Sequence, residues 1–195
     1  MVLIGLCAVA ITGGSNLLRF VTLVSPLGSE NYREWVGVPG VTTAALHAAL
    51  RATAAARGAK PLHEHIELLT ELLTVQPLSA SAWASRAGQE FAITGSAKEA
   101  LTALTMSAIT GPNEGAVMWQ RGIVALLEWE ALPPAARQRA IADLSRVIAM
   151  GATDDNGLNE VRTVLAAKSP AVHMQIKSML IDERVTTSTM TRMGL

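Results

Sequence analysis

Apolar residues recur at spacings of three and four along most of this chain, with polar residues filling the opposite positions. In the stretch after Pro61, Leu62, Ile66, Leu69, Leu72 and Leu73 fall on one stripe while Glu64, Glu67 and Glu71 take the other side. That spacing predicts a helix opened by Pro61. The run before it, residues 41 to 57, is helical in pattern and stops at Gly58, so the two predict an antiparallel hairpin. Pro77 then breaks the chain, and Ser79 or Ser81 caps a helix to about Ile93. Gly95 stops that helix and Ser96 caps the next, whose stripe is Ala97, Ala100, Leu101, Leu104, Ala108 and Ile109. Gly111 and Pro112 end the second hairpin. Asn113 caps a third pair, roughly 114 to 131 and 135 to 150, with Ile141, Leu144, Val147 and Ile148 inward and Arg137, Arg139, Asp143 and Arg146 outward. Gly151 closes it, and residues 154 to 182 supply a closing pair.

The breakers recur. Pro77 and Pro112 are 35 residues apart (112 − 77), and Trp83 and Trp119 are 36 apart (119 − 83), so the unit is a two-helix repeat. A proline ends the second helix of each pair, and a tryptophan in the next first helix fills the seam between pairs. Gly88 and Gly122, soon after the tryptophans, allow close helix approach. These positions resemble the tetratricopeptide repeat, which places tryptophan six and glycine ten residues after the closing proline and an alanine in mid second helix. Trp83 and Gly122 fall on those offsets, Gly88, Trp119 and Ala100 miss by one, and the usual tyrosine after the glycine is absent. The resemblance covers residues 41 to 151 as three degenerate units. It implies an all-α fold of stacked antiparallel hairpins, a tetratricopeptide-like solenoid, and a protein or peptide partner.

Residues 2 to 24 carry one charge, Arg19, before the breaker at 25 to 29, long enough in helical form to cross a bilayer. The expected organisation is a hydrophobic N-terminal segment at 1–28, a membrane anchor or export signal; a linker at 29–40 in which Tyr32 and Trp35 suit a membrane interface, or Trp35 covers the apolar end of the first hairpin; a helical-repeat domain at 41–182; and a flexible tail at 183–195. The expected location is membrane-anchored or periplasmic, at a bacterial inner membrane. The alternative is a small structural subunit docked into a membrane complex through its apolar N-terminus.

Half the residues are hydrophobic and only 4% aromatic, a helical composition. Lys plus Arg and Asp plus Glu balance at 16 each, and no basic stripe interleaves with aromatics, which argues against nucleic acid as a partner. The single Cys7 has no second cysteine to pair with. No phosphate loop, nucleophile elbow or paired cysteine motif occurs, so no cofactor is expected and a non-catalytic role is. The competing enzyme reading rests on His47, His63 and Glu64 as an acid–base or metal group. His63 and His65, two apart on a helix, point about 200° from each other and read as surface histidines. Asp154 and Asp155 read as a helix cap, and Glu128, Trp129 and Glu130 as a solvated helix end. The expected partner groove runs along the first helices of each pair, lined by Arg86, Gln89, Glu90, Gln120 and Arg121, while Pro77, Trp83, Gly88, Pro112, Trp119 and Gly122 are structural staples.

Overall fold

A computed structural model describes residues 38, 41–55, 59–95 and 97–195. The expectations for the segment at 2–24, for Cys7, Tyr32 and Trp35, and for Gly58 and the Ser96 cap lie outside the described residues. Within them the chain is all-helical and contains no strand. It divides into two compact units, Met1–Pro77 and Leu78–Leu195, so a boundary falls inside the span expected as one domain.

In the first unit, α1 (Thr42–Ala55) packs against α2 (Ala59–Val75). The alternation of Leu and Glu in α2 does what its period requires: Leu68, Leu69, Leu72 and Leu73 are buried while Glu67 and Glu71 are exposed. His63 is exposed as expected, but His65 is buried, and its Nδ1 lies 2.7 Å from Thr53 Oγ1. Thr53 Oγ1 already donates to the Ala49 and Leu50 carbonyls, so the ring Nδ1–H is the donor to it.

The second unit holds α3 (Ala80–Thr94), α4 (Ala97–Thr110), α5 (Gly115–Leu127), α6 (Pro134–Ala149), α7 (Asp155–Ala166), α8 (Pro170–Asp182) and α9 (Thr187–Arg192), with a single 3₁₀ turn at Trp129–Ala131. Ser79 caps α3 by accepting the Ala82 N–H, and Gly95 ends it at φ 60°, as the sequence predicts. Asn113 does not cap α5. Glu114 takes the cap position without a side-chain bond, and Asn113 Oδ1 instead accepts from Arg146 Nη1 at 3.2 Å. The apolar stripe of α4 is also rotated from expectation: Ala100, Ala103 and Ser107 are buried, whereas Ile109 is 65% exposed. The smallest side chains of α4 lie inward, where α3 packs close.

Helix α3 packs on α4 and α5 on α6, each as a pair, while α3 also meets α5 and α5 meets α7. The last pair departs from the expected hairpin. Helix α7 packs chiefly on α5 and α8 on α6, and a core of Leu126, Trp129, Ile141, Leu144, Leu165, Ile176 and Leu180 with their neighbours holds them together. His173 Nε2 donates to the Leu165 carbonyl at 2.7 Å across the α7–α8 corner. The tail expected to be flexible is ordered: α9 lies against α7, with Met190 and Met193 buried in the same core and Arg192 paired with Asp155. Two methionines spaced three apart give even a six-residue helix one apolar face.

Candidate functional site

The expected groove residues separate into two groups. Arg86, Gln89 and Glu90 lie on α3, where the Arg86 guanidinium sits 5.8 Å above the Trp83 ring and its Nε donates to Glu90 Oε1 at 3.3 Å. Glu90 is therefore not an outward residue; it is 6% exposed, and a carboxylate that deep needs the charged partner one turn away. Gln120 on α5 reaches α3, donating from Nε2 to Ser85 Oγ at 2.9 Å. Gln89, one turn beyond Ser85, has its Oε1 buried without a hydrogen-bond partner.

Arg121 belongs elsewhere. Adjacent residues on a helix diverge by about 100°, so with Gln120 turned to α3, Arg121 points into the body of the unit and is 3% exposed. Its Nε donates to Asp143 Oδ2 at 2.8 Å, and its Nη1 donates to the Ser107 and Gly111 carbonyls at 3.1 and 3.0 Å. Ser107 Oγ accepts from the same Nη1 and donates to the Ala80 carbonyl at 2.8 Å. One guanidinium thus ties the end of α4 to the middle of α6 and, through Ser107, to the start of α3; it satisfies the Gly111 carbonyl past the end of α4 and adds a donor to the Ser107 carbonyl, which also accepts the Gly111 N–H. Asp143, expected outward, is drawn in as its counter-charge.

The two tryptophans and two glycines of the repeat occupy different environments. Trp119 lies in the seam between α5 and α7: its Nε1 donates to Glu160 Oε2 at 3.1 Å, and a Cβ on Gly157 would sit 3.2 Å from its ring. Trp83 packs against the core of Ala87, Phe91, Ala100 and Val124. A Cβ on Gly88 would meet Val124 Cγ2 of α5 at 3.3 Å, while one on Gly122 would meet Leu144 Cγ and Cδ2 of α6 at 2.5 Å. Gly88 therefore serves the contact between pairs and Gly122 the contact within one. The spacings explain this, since Gly88 follows Trp83 by five residues and Gly122 follows Trp119 by three, which places the glycines on opposite helix faces. Pro77 and Pro112 stand in the turns before α3 and α5, both exposed.

An open recess of about 740 Å³ borders Trp119, with Gly115, Ala116, Ala152, Asp154 and Gly157 forming its other walls. Asp154 caps α7 by accepting the Gly157 N–H at 2.9 Å, and that bond holds its carboxyl below the usual aspartate range. A second recess of about 210 Å³ lies between α6 and α8, lined by Pro134, Arg137, Gln138, Gln175, Met179 and Asp182.

Comparison with known protein families, curated proteins and solved structures finds no match.

Beside the second recess is a cluster that the sequence pattern did not flag. Trp129 is fully buried rather than at a solvated helix end; its Nε1 donates to Gln175 Oε1 at 2.9 Å, and the Arg137 guanidinium stacks 5.6 Å from its ring and donates to its carbonyl at 2.9 Å. The flanking Glu128 and Glu130 disguised it. The available signal was a bulky aromatic in the break between two paired helices, where the only short route to burial is back under the next helix. Glu130 itself pairs with Lys168 Nζ at 2.9 Å, and the hydrogen bond from that ammonium pulls its carboxyl below the usual glutamate range.

The acid–base group of the enzyme reading divides between helices: His47 is on α1 and His63 and Glu64 on α2. Among the described residues no three His, Cys, Asp or Glu side chains gather closely enough to hold a metal ion, and no helix is long and apolar enough to cross a membrane.

Proposed function

We propose that this chain is a non-catalytic protein-binding subunit whose helical pairs stack in the manner of tetratricopeptide repeats, with the partner lying along the first helices of successive pairs. The observation that carries the reading is the continuous side-by-side contact of α3, α5 and α7, tied by Gln120 to Ser85 and by Trp119 to Glu160. That row presents the half-buried side chains of Arg86, Gln89, Trp119 and Gln120 and the recess beside Trp119 between α5 and α7. Such a surface favours an extended peptide or helix with polar groups and an apolar anchor. Arg86, Gln89, Gln120 and Trp119 are the contact residues of this reading; Glu90 positions Arg86, and Arg121 has a structural place.

The apolar residues 2 to 24 support a role at a bacterial membrane, as an anchor or export signal, with the repeats acting as a scaffold for an envelope protein; accessory service to polysaccharide machinery is an extension of that reading. The test is fractionation and crosslinking capture with tagged full-length chain, beside a chain beginning at Ser29. The reading expects a membrane-fraction chain that captures a defined protein, and capture that falls when Arg86, Gln89 and Gln120 are changed to Ala while helicity is retained. Undiminished capture by that triple variant would overturn the groove, and capture lost with residues 1 to 28 alone would place the contact in the leader.

A further inference from the structure

Helix α8 is apolar on two opposite faces. Val172, Ile176 and Leu180 are buried against the rest of the unit. Half a turn away, Ala171, Met174, Ser178 and Ile181 form a second stripe at spacings of three, four and three, and all four are exposed, Met174 at 69% and Ile181 at 54%. The outer face of a solvated helix is normally polar. Among the described residues nothing covers this one.

The spacing is that of a heptad seam, with Ala171 and Ser178 at a positions and Met174 and Ile181 at d positions. On that register Lys177 is a g residue on one edge, and Asp182, five residues on, is an e residue on the other. Neither has an ion-pair partner among the described residues. In two parallel copies of one helix, each g side chain faces the e side chain five residues along the other copy. Lys177 of each chain then meets Asp182 of the other, twice over by symmetry. An antiparallel pair would set lysine edge against lysine edge. The charges on the two edges thus match a second α8 in the parallel sense.

We propose that the outer face of α8 is a self-association surface, and that its occupant is a second copy of this chain, related by a two-fold axis running along the paired helices. Such an interface is isologous and closes on itself, so it yields a dimer rather than a filament. The small Ser178 lets the helices approach at the centre, and Met174 and Ile181 supply the apolar contact on either side. This proposal is independent of the groove, which lies on other helices.

The experiment is sedimentation velocity of the full-length chain across a concentration series in density-matched mild detergent, so that the apolar leader stays dispersed. A species of twice the 20.5 kDa chain mass is expected. M174E and I181E, both at exposed positions, are expected to return it to monomer with an unchanged circular-dichroism spectrum. K177E and D182K are each expected to weaken the dimer several-fold, and the K177E/D182K pair to restore it. In a Cys7→Ser chain, S178C is expected to crosslink to itself under oxidation where the Cys7→Ser chain alone does not. A monomer at every concentration overturns the proposal, as does a dimer that survives M174E and I181E or one captured through α8 by a different protein. Failure of the charge-swapped pair to recover, or of S178C to crosslink, overturns the parallel arrangement.

Discussion

Replacing Asp143 with Ala strips the buried Arg121 guanidinium of its counter-charge while leaving it no way out. The Arg121 side chain is 4% exposed and that of Asp143 11%, and two carbonyls, of Ser107 and Gly111, still hold Nη1 from the other side. Breaking a buried pair by removing one member costs ~3–5 kcal/mol, since the remaining charge stays desolvated. Because the guanidinium is pinned, we expect the upper half of that range, ~4 kcal/mol. The variant Arg121→Met removes the other charge and also takes the guanidinium donor from the Gly111 carbonyl, while the Ser107 carbonyl keeps the Gly111 N–H, so it falls in the same range. Arg121→Met with Asp143→Leu removes both charges and keeps the volume, and only the Gly111 carbonyl is left undonated, at about 1–3 kcal/mol. The double variant is therefore expected to be more stable than either single one. Urea unfolding read by tryptophan fluorescence reports on this region, because Trp83, Trp119 and Trp129 all lie between Leu78 and Leu195. With a slope of roughly 2 kcal/mol/M, Asp143→Ala should lower the midpoint by about 2 M. A shift under about 0.5 M, or a double variant whose loss equals the sum of the singles, would refute the reasoning.

Three further outcomes follow from other parts of the structure. Gly122→Ala forces a Cβ to 2.5 Å from the fully buried Leu144, an overpacking cost of ~1–3 kcal/mol that exceeds the roughly 1 kcal/mol gained in helix propensity, whereas Gly88→Ala meets Val124 at 3.3 Å and keeps most of that gain; thermal melts should move Tm down for the first and leave it level or higher for the second, and parallel shifts would contradict the assignment. Burial lowers the pKa of His65, so the folded state binds its proton less readily than the unfolded chain. The α1–α2 unit should hold full stability above about pH 6.5 and lose it as pH falls below that value, with amide protection factors in α2, corrected for the pH dependence of intrinsic exchange, falling between pH 7.5 and 5 in the native chain and staying level in His65→Gln. Trp129→Phe deletes the bond to Gln175 and weakens the Arg137 stack, and should cost about 1–2 kcal/mol by chemical denaturation, which Gln175→Met would then no longer add to.

What the sequence disclosed was whatever depends on local period and punctuation. The stripe of α2, the Ser79 cap and the Gly95 stop are each set by a few neighbouring residues, and they stand where the pattern put them. The α7 cap was equally plain, and Asp154 supplies it. What stayed hidden depends on which helix lies opposite. Arg121 and Asp143 are charged residues on helices whose pattern reads polar face outward, and only the approach of α4 makes an inward arginine useful to the carbonyls at its end. Gln89, Arg86 and Gln120 could be placed on the row of first helices, but Arg121, one residue on, could not share it. The tail misled because a six-residue helix gives too few positions for a period to register; its burial comes from a core on α7 and α8 that lies far from it in sequence.

That dependence on α9 bears on how the core tolerates damage. Met190 and Met193 fill the same core as Leu158, Val161 and Leu165, and the Leu195 N–H closes the turn after α9 onto the Met190 carbonyl. A chain cut before Thr187, by proteolysis or a nonsense codon, keeps the packing of α7 on α5 but loses the methionines that cover Leu158, Val161 and Leu165. It would display that bared patch to chaperones and proteases, so such truncations act on the protein's abundance rather than on any one contact surface.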